Sequence, residues 1–235
     1  MSIADNLRRV QERIAAGAES VGRRPDEIRL VAVTKYVGSR ETAELVAAGC
    51  TDLGESRPQE LWRKVAEFEQ DRASPDIRWH LVGHLQTNKV RRTLPLVSLI
   101  HSVDSEKLLS VINDASAAQG DTGQPVDVLL EVNTSGESAK HGLAPKQVEP
   151  ILAGARQYPH VAIRGLMTMA AFDGGEAAAA RDFASLRQLR DRLRPNTPDG
   201  VSLDELSMGM SGDFEVAIRE GATIVRIGSL LWESI

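Results

Sequence analysis

The sequence predicts an α/β protein: a single (β/α)8 barrel of the TIM type with an extra N-terminal helix. Three observations carry this expectation. Short apolar stretches alternate with helical patterns eight times along 235 residues, close to the usual barrel length of about 250. The first stretch, residues 28–35, passes from alternating to consecutive apolar residues, the pattern of a parallel strand covered on both faces. Polar and glycine residues gather in the turns that follow the strands, the end where a barrel carries its site. The same elements also suit an open doubly wound sheet. The strand count favours the barrel, and no GxGxxG pattern follows the first strand.

Taken in order, Ile3, Leu7, Val10, Ile14 and Ala18 recur at three- and four-residue spacing, which predicts an amphipathic helix over 2–20. Strands are expected at 28–35, 51–54, 77–82, 98–103, 126–133, 161–168, 203–207 and 223–228. Helices are expected near 39–48, 57–70, 86–93, 105–119, 145–156, 174–193 and 213–220. Six residues follow Ser229, too few for a full eighth helix, so the N-terminal helix is expected to cover that side. No linker interrupts the pattern, and residues 1–235 read as one domain.

The formal net charge of -5 leaves no basic footprint for nucleic acid. Cys50 is the one cysteine, which excludes an internal disulfide and fits a reducing cytosol. No apolar run approaches the roughly eighteen residues of a membrane span, and the N-terminus is polar and amphipathic rather than a signal peptide. The expectation is a cytoplasmic protein that engages neither nucleic acid nor membrane.

Lys35 ends the stretch Val31–Lys35 at the carboxyl end of the first strand. Partly desolvated there, a lysine has its pKa lowered and attacks aldehydes, the chemistry of a Schiff base with pyridoxal phosphate (PLP) or a carbonyl substrate. A strand-end lysine can equally snorkel to solvent. Ser211-Gly212-Asp213 opens a helix after the seventh strand, and Gly228-Ser229 follows the eighth. Barrels often bind phosphate with these two loops, although Ser211 and Asp213 also suit plain helix caps. Arg226 shares the face of Gly228, so it needs either a carboxylate (Glu131, Glu55 or Asp204) or an acceptor such as a pyridine nitrogen. His80 and His84 are four apart, but Gly83 breaks the helix geometry a zinc pair would need, and no metal is expected. Ser135 lacks the GxSxG frame of a hydrolase, and Cys50 reads as core.

Further motifs extend along nearly all of the chain: Gly54-Glu55-Ser56, Trp79-His80 with Leu85–Lys89, His101–Ser105, Val132–Gly142, Gly165–Met169, Leu206–Phe214 and Gly221–Ser229. With Val31–Lys35 they make the chain resemble the pyridoxal phosphate homeostasis family, whose members are single barrels similar to the N-terminal domain of alanine racemase. The resemblance implies that Lys35 carries the internal aldimine and that Ser211, Gly212, Gly228 and Ser229 hold the phosphate. It also implies that Arg226 faces the pyridine nitrogen, with Ser56 and Met208 as further cofactor neighbours. Ser56 departs from the family, which usually has Asn there. The implied role is PLP binding and intracellular vitamin B6 homeostasis without robust turnover, with PLP-dependent apoenzymes as recipients, and a barrel with a single covering helix and no obvious apolar patch is compatible with a monomer. The alternatives are a racemase-like enzyme completed by a partner, or a class I aldolase using Lys35.

Overall fold

Ser2 starts the first helix, α1 (Ile3–Glu19), by accepting the Asp5 N–H on its hydroxyl while Asp5 reaches back to the Ser2 N–H. This reciprocal cap satisfies donors that a helix start leaves open. The computed structural model describes residues 2–70, 76–119, 124–137, 141–171 and 174–233, so residues 138–140 of the Val132–Gly142 motif lie outside it. Ile3, Leu7, Val10, Ile14 and Ala18 form the buried face of α1, as their spacing predicts.

Among the described residues, eight parallel strands close a barrel in sequence order, β1 (Arg29–Val33), β2 (Asp52–Glu55), β3 (Arg78–Leu81), β4 (Leu99–Val103), β5 (Val126–Glu131), β6 (Val161–Met167), β7 (Val201–Ser207) and β8 (Ile224–Ile227). The crossovers carry α2 (Ser39–Ala47), α3 (Pro58–Glu69), α4 (Val90–Thr93), α5 (Glu106–Ala117), α6 (Pro145–Ala153), α7 (Gly175–Leu193) and α8 (Phe214–Arg219). β8 closes on β1 with Val31 opposite Arg226. After β8 a short 3-10 turn, Ser229–Leu231, follows. α1 packs between α8 and α2 on that side, and Asn6 Nδ2 donates to the carbonyls of Leu231 (3.1 Å) and Glu233 (3.0 Å).

Two apolar regions result. The larger lies between the strands and the helices, and a smaller one of Val31, Leu99, Leu129, Met167 and Ile224 fills the barrel interior. Several elements are shorter than expected, and for two of them the contacts show why. β1 stops at Val33: the Thr34 N–H still reaches Gly54 O (3.0 Å), but the Thr34 carbonyl is taken by the Lys64 ammonium (2.7 Å). The predicted 86–93 helix is a 3-10 turn over Thr87–Lys89 and one α turn. Pro95 follows in the next 3-10 turn, and Thr93 Oγ1 bonds back to Lys89 O.

Lys64 is the least expected core residue. It lies on α3 with Leu61 and Val65, 1% exposed, and its ammonium meets Glu55 Oε1 at 2.6 Å. Thr34 Oγ1 donates to the same oxygen at 2.6 Å. Glu55 Oε2 is the one buried side-chain polar atom without a partner among the described residues. Removing either charge would strand the other in a dry interior. This pair ties α3 to β2 and to the end of β1.

Candidate functional site

Arg226 lies on the inward face of β8, just below the rim formed by the strands' carboxyl ends, and is 4% exposed. None of the three carboxylates the sequence offers forms a salt bridge with it among the described residues. Glu55 is held by Lys64 and Asp204 by Arg194, while Glu131 acts only as a neighbouring charge. Arg226 instead donates from Nη1 to Ser207 Oγ (2.6 Å) and from Nη2 to Thr168 O (3.0 Å). Burial pushes its pKa down to about 10, against the pull of Glu131 and Asp213, so it is charged at neutral pH.

Ser207 begins a chain of buried polar groups that crosses the barrel. Ser207 Oγ lies 2.8 Å from His101 Nδ1, His101 Nε2 lies 2.9 Å from His80 Nδ1, and His80 Nε2 lies 3.0 Å from Asp52 Oδ1. The two ends assign every proton. Arginine only donates, so Ser207 accepts from it and turns its own O–H to His101 Nδ1. His101 then donates through Nε2 to His80, and His80 through Nε2 to Asp52. Burial would raise the Asp52 carboxyl, but hydrogen bonds from Arg78 and His80 outweigh it and hold the group well below the usual carboxylate range. Burial lowers both histidines, His101 most, aided there by the charges of His80 and Arg226. Both imidazoles are therefore neutral and Nε2-protonated, as the chain demands.

On the rim above Arg226, Ser211-Gly212-Asp213 and Gly228-Ser229 are joined directly, with the Gly228 N–H donating to Ser211 Oγ at 3.2 Å. Gly212 and Ser229 are exposed, and a Cβ on Gly212 would meet nothing within 4 Å. Gly209 sets the turn that leads there. Its φ is +92°, and a Cβ would stand 2.5 Å from that of Ala217. Its carbonyl also accepts the Arg226 N–H (3.0 Å), which couples the loop to β8. Asp213 braces the turn by accepting the Met210 N–H (2.6 Å), and burial raises its pKa.

One premise needs correction, the desolvation of Lys35. Lys35 sits on the turn that follows Thr34, two residues past the end of β1. It is exposed, and its Nζ stands 4.8 Å from the centre of the exposed Tyr36 ring, so the expected desolvation is absent. Met208 is fully buried in the larger core and supports the β7 turn from behind. Ser56 is half-buried and makes no side-chain hydrogen bond among the described residues. Sequence reasoning offered Glu131 only as a counter-charge for Arg226, and it ends β5 as a buried carboxyl. Burial first, and then the Asp104 charge, push its pKa up to about 7 against Arg226 and His141.

A family model described as the N-terminal domain of alanine racemase matches residues 2–234. The chain belongs to that family. Within it, the pyridoxal phosphate homeostasis protein of Aquifex aeolicus is 39% identical over 232 residues, covering 99% of this chain and 98% of that protein. The solved structure of PipY from Synechococcus elongatus, with PLP bound, has a TM-score of 0.84 at 33% identity, covering 98% of this chain and 99% of PipY. Alanine racemase of Clostridium difficile 630 shares the fold, with a TM-score of 0.71 at 16% identity, and the match covers 56% of its chain.

Proposed function

We propose that the chain binds PLP and serves intracellular vitamin B6 homeostasis, with Lys35 as the Schiff-base lysine. The observation that carries this reading is Arg226: a buried, charged guanidinium held only by a hydroxyl and a carbonyl, at the mouth of a barrel whose relative PipY has been solved with PLP bound. The residues present fit the cofactor. Arg226 has N–H donors left for a ring nitrogen, and because it stays protonated it suits a nitrogen that carries no proton. The open space over Gly212, the Ser229 hydroxyl and the joined Ser211–Gly228 turns suit a phosphate group. PLP supplies an aldehyde for amine exchange and a ring that stores electrons from an amino-acid carbon.

The residues do the rest. The turns after β7 and β8 anchor the anion, Arg226 fixes the ring edge, and Lys35 comes from β1 on the neighbouring side of the rim. An exposed lysine on a turn suits reversible loading and release better than a locked catalytic one. Racemisation needs a base on each face of the substrate carbon. Of the two tyrosines, Tyr36 adjoins Lys35, and Tyr158 donates to Glu106 Oε1 (3.0 Å) on the outer wall. The reading is therefore of a cytoplasmic, monomeric single-domain carrier without robust turnover, with PLP-dependent apoenzymes as recipients.

Absorbance of the purified chain titrated with PLP tests this. A visible band is expected that borohydride removes, with the label found on Lys35. A colourless protein that traps a keto acid at Lys35 would instead favour an aldolase. Rapid α-proton exchange in deuterated water by the chain alone would favour the racemase.

A further inference from the structure

His84, Asp104 and His141 come from the turns after β3, β4 and β5, on the opposite side of the rim from β8. The Nδ1 atoms of both histidines face one oxygen, Asp104 Oδ2, at 3.1 Å and 3.6 Å. The three ligand atoms lie within 4.8 Å of one another. The imidazole rings stack with centroids 4.6 Å apart and planes 23° from parallel, so the two nitrogens open toward the same point. A tetrahedral ion with bonds of about 2.0–2.1 Å separates its ligand atoms by roughly 3.3–3.4 Å, which falls between the two measured distances.

The backbone holds this arrangement in place. Ser102 Oγ donates to Gly83 O (2.6 Å), fixing the end of β4 to the residue before His84. Leu143 exchanges backbone bonds with Glu131 O (2.8 Å) and the Asn133 N–H (2.9 Å), which clamps the segment after His141 onto β5. Gly142, between them, has φ +114°, and a Cβ there would stand 2.8 Å from Asn133 N. Each donor thus sits on a turn fixed to a strand.

We propose that His84, Asp104 and His141 form a binding site for a divalent transition-metal ion. Two imidazoles and a carboxylate suit zinc, cobalt or nickel rather than magnesium or calcium. Three protein ligands leave a coordination position open, where water or an anionic small molecule can bind.

The test uses the untagged full chain, stripped with chelator, in PLP-loaded and PLP-free forms, so that chelation by the cofactor is measured separately. Zinc is titrated by calorimetry, and cobalt by its visible ligand-field bands. About one equivalent is expected in both forms, weakened at least ~10-fold in each of His84→Ala, Asp104→Asn and His141→Ala. His160→Ala, an exposed histidine outside the cluster, is expected to bind as wild type. Circular dichroism checks that each variant is folded. Lack of saturable uptake, or uptake indifferent to both His84→Ala and His141→Ala, would overturn the proposal and leave a surface ion pair. Uptake confined to the PLP-loaded form and unchanged in those variants would assign the metal to the cofactor, and would overturn it as well.

Discussion

Glu131→Gln should stabilise the protein at pH 8 and leave it nearly unchanged at pH 4.5. Glu131 is 4% exposed, and burial with the Asp104 charge raises its pKa from 4.5 to about 7. The folded state therefore holds the proton more tightly than the unfolded chain does. That preference is fully present below pH 4.5, erodes as pH rises toward 7, and is lost above it. A shift of about 2.5 units at 1.36 kcal/mol each is worth about 3 kcal/mol. Glutamine mimics the neutral acid and cannot ionise, so its advantage over Glu131 grows by about that amount between pH 4.5 and 8. Urea unfolding of the PLP-free protein at both pH values reads this as a change in midpoint at constant slope. A gain that does not change with pH, or a variant less stable at pH 8, would refute the placement of a neutral Glu131 beside Arg226.

Lys64→Met should cost about 3–5 kcal/mol in urea unfolding, because Glu55 would remain buried without its counter-charge. A loss under about 1 kcal/mol would show that water or a proton compensates Glu55 at no structural cost. Lys35→Ala should lose the borohydride-trapped label but keep weak, saturable PLP binding by equilibrium dialysis, because the proposed phosphate turns belong to other strands. No residual binding would mean that the two anchors are not independent. Ser211→Asp combined with Ser229→Asp should abolish PLP binding in a protein that still folds, since carboxylates there repel a phosphate dianion at short range. Retained affinity in the folded double variant would move the phosphate elsewhere.

The barrel was legible because its evidence is repetitive: eight apolar runs, each followed by a turn and a helix, over a length that suits closure. The joined turns at Ser211 and Gly228 were legible for the same reason, as neighbours in a closed order. What escaped was set by contacts between distant segments. Lys64 looks solvated among the charges of α3, yet it falls on the helical face of Leu61 and Val65, and that spacing was the available signal. His80 and His101 each lie in an apolar strand, and their inward alternation, followed through, would have paired them. Lys35 was placed on a continuing strand because nothing local shows that Lys64 captures the Thr34 carbonyl. His84, Asp104 and His141 belong to three different turns, which no spacing rule within one segment detects.

The chain from Arg226 to Asp52 has a direction, and under the proposed PLP reading that direction bears on turnover. Every proton in it is oriented by an arginine at one end and an ionised carboxylate at the other. Reversing any link would leave two donors or two acceptors facing each other in a dry interior, at about 1–3 kcal/mol for each group left unsatisfied. Arg226 is thus held as a pure donor by groups that cannot accept its proton at neutral pH, and burial leaves its pKa at about 10. A ring nitrogen placed against it receives a hydrogen bond but no proton. An unprotonated ring draws electrons from an amino-acid carbon less strongly, and each 1.4 kcal/mol of lost transition-state stabilisation is a tenfold loss of rate. On the proposed reading, the hydrogen bonds that fix Arg226 as a donor would also deny the ring the strong electron sink an efficient racemase would want.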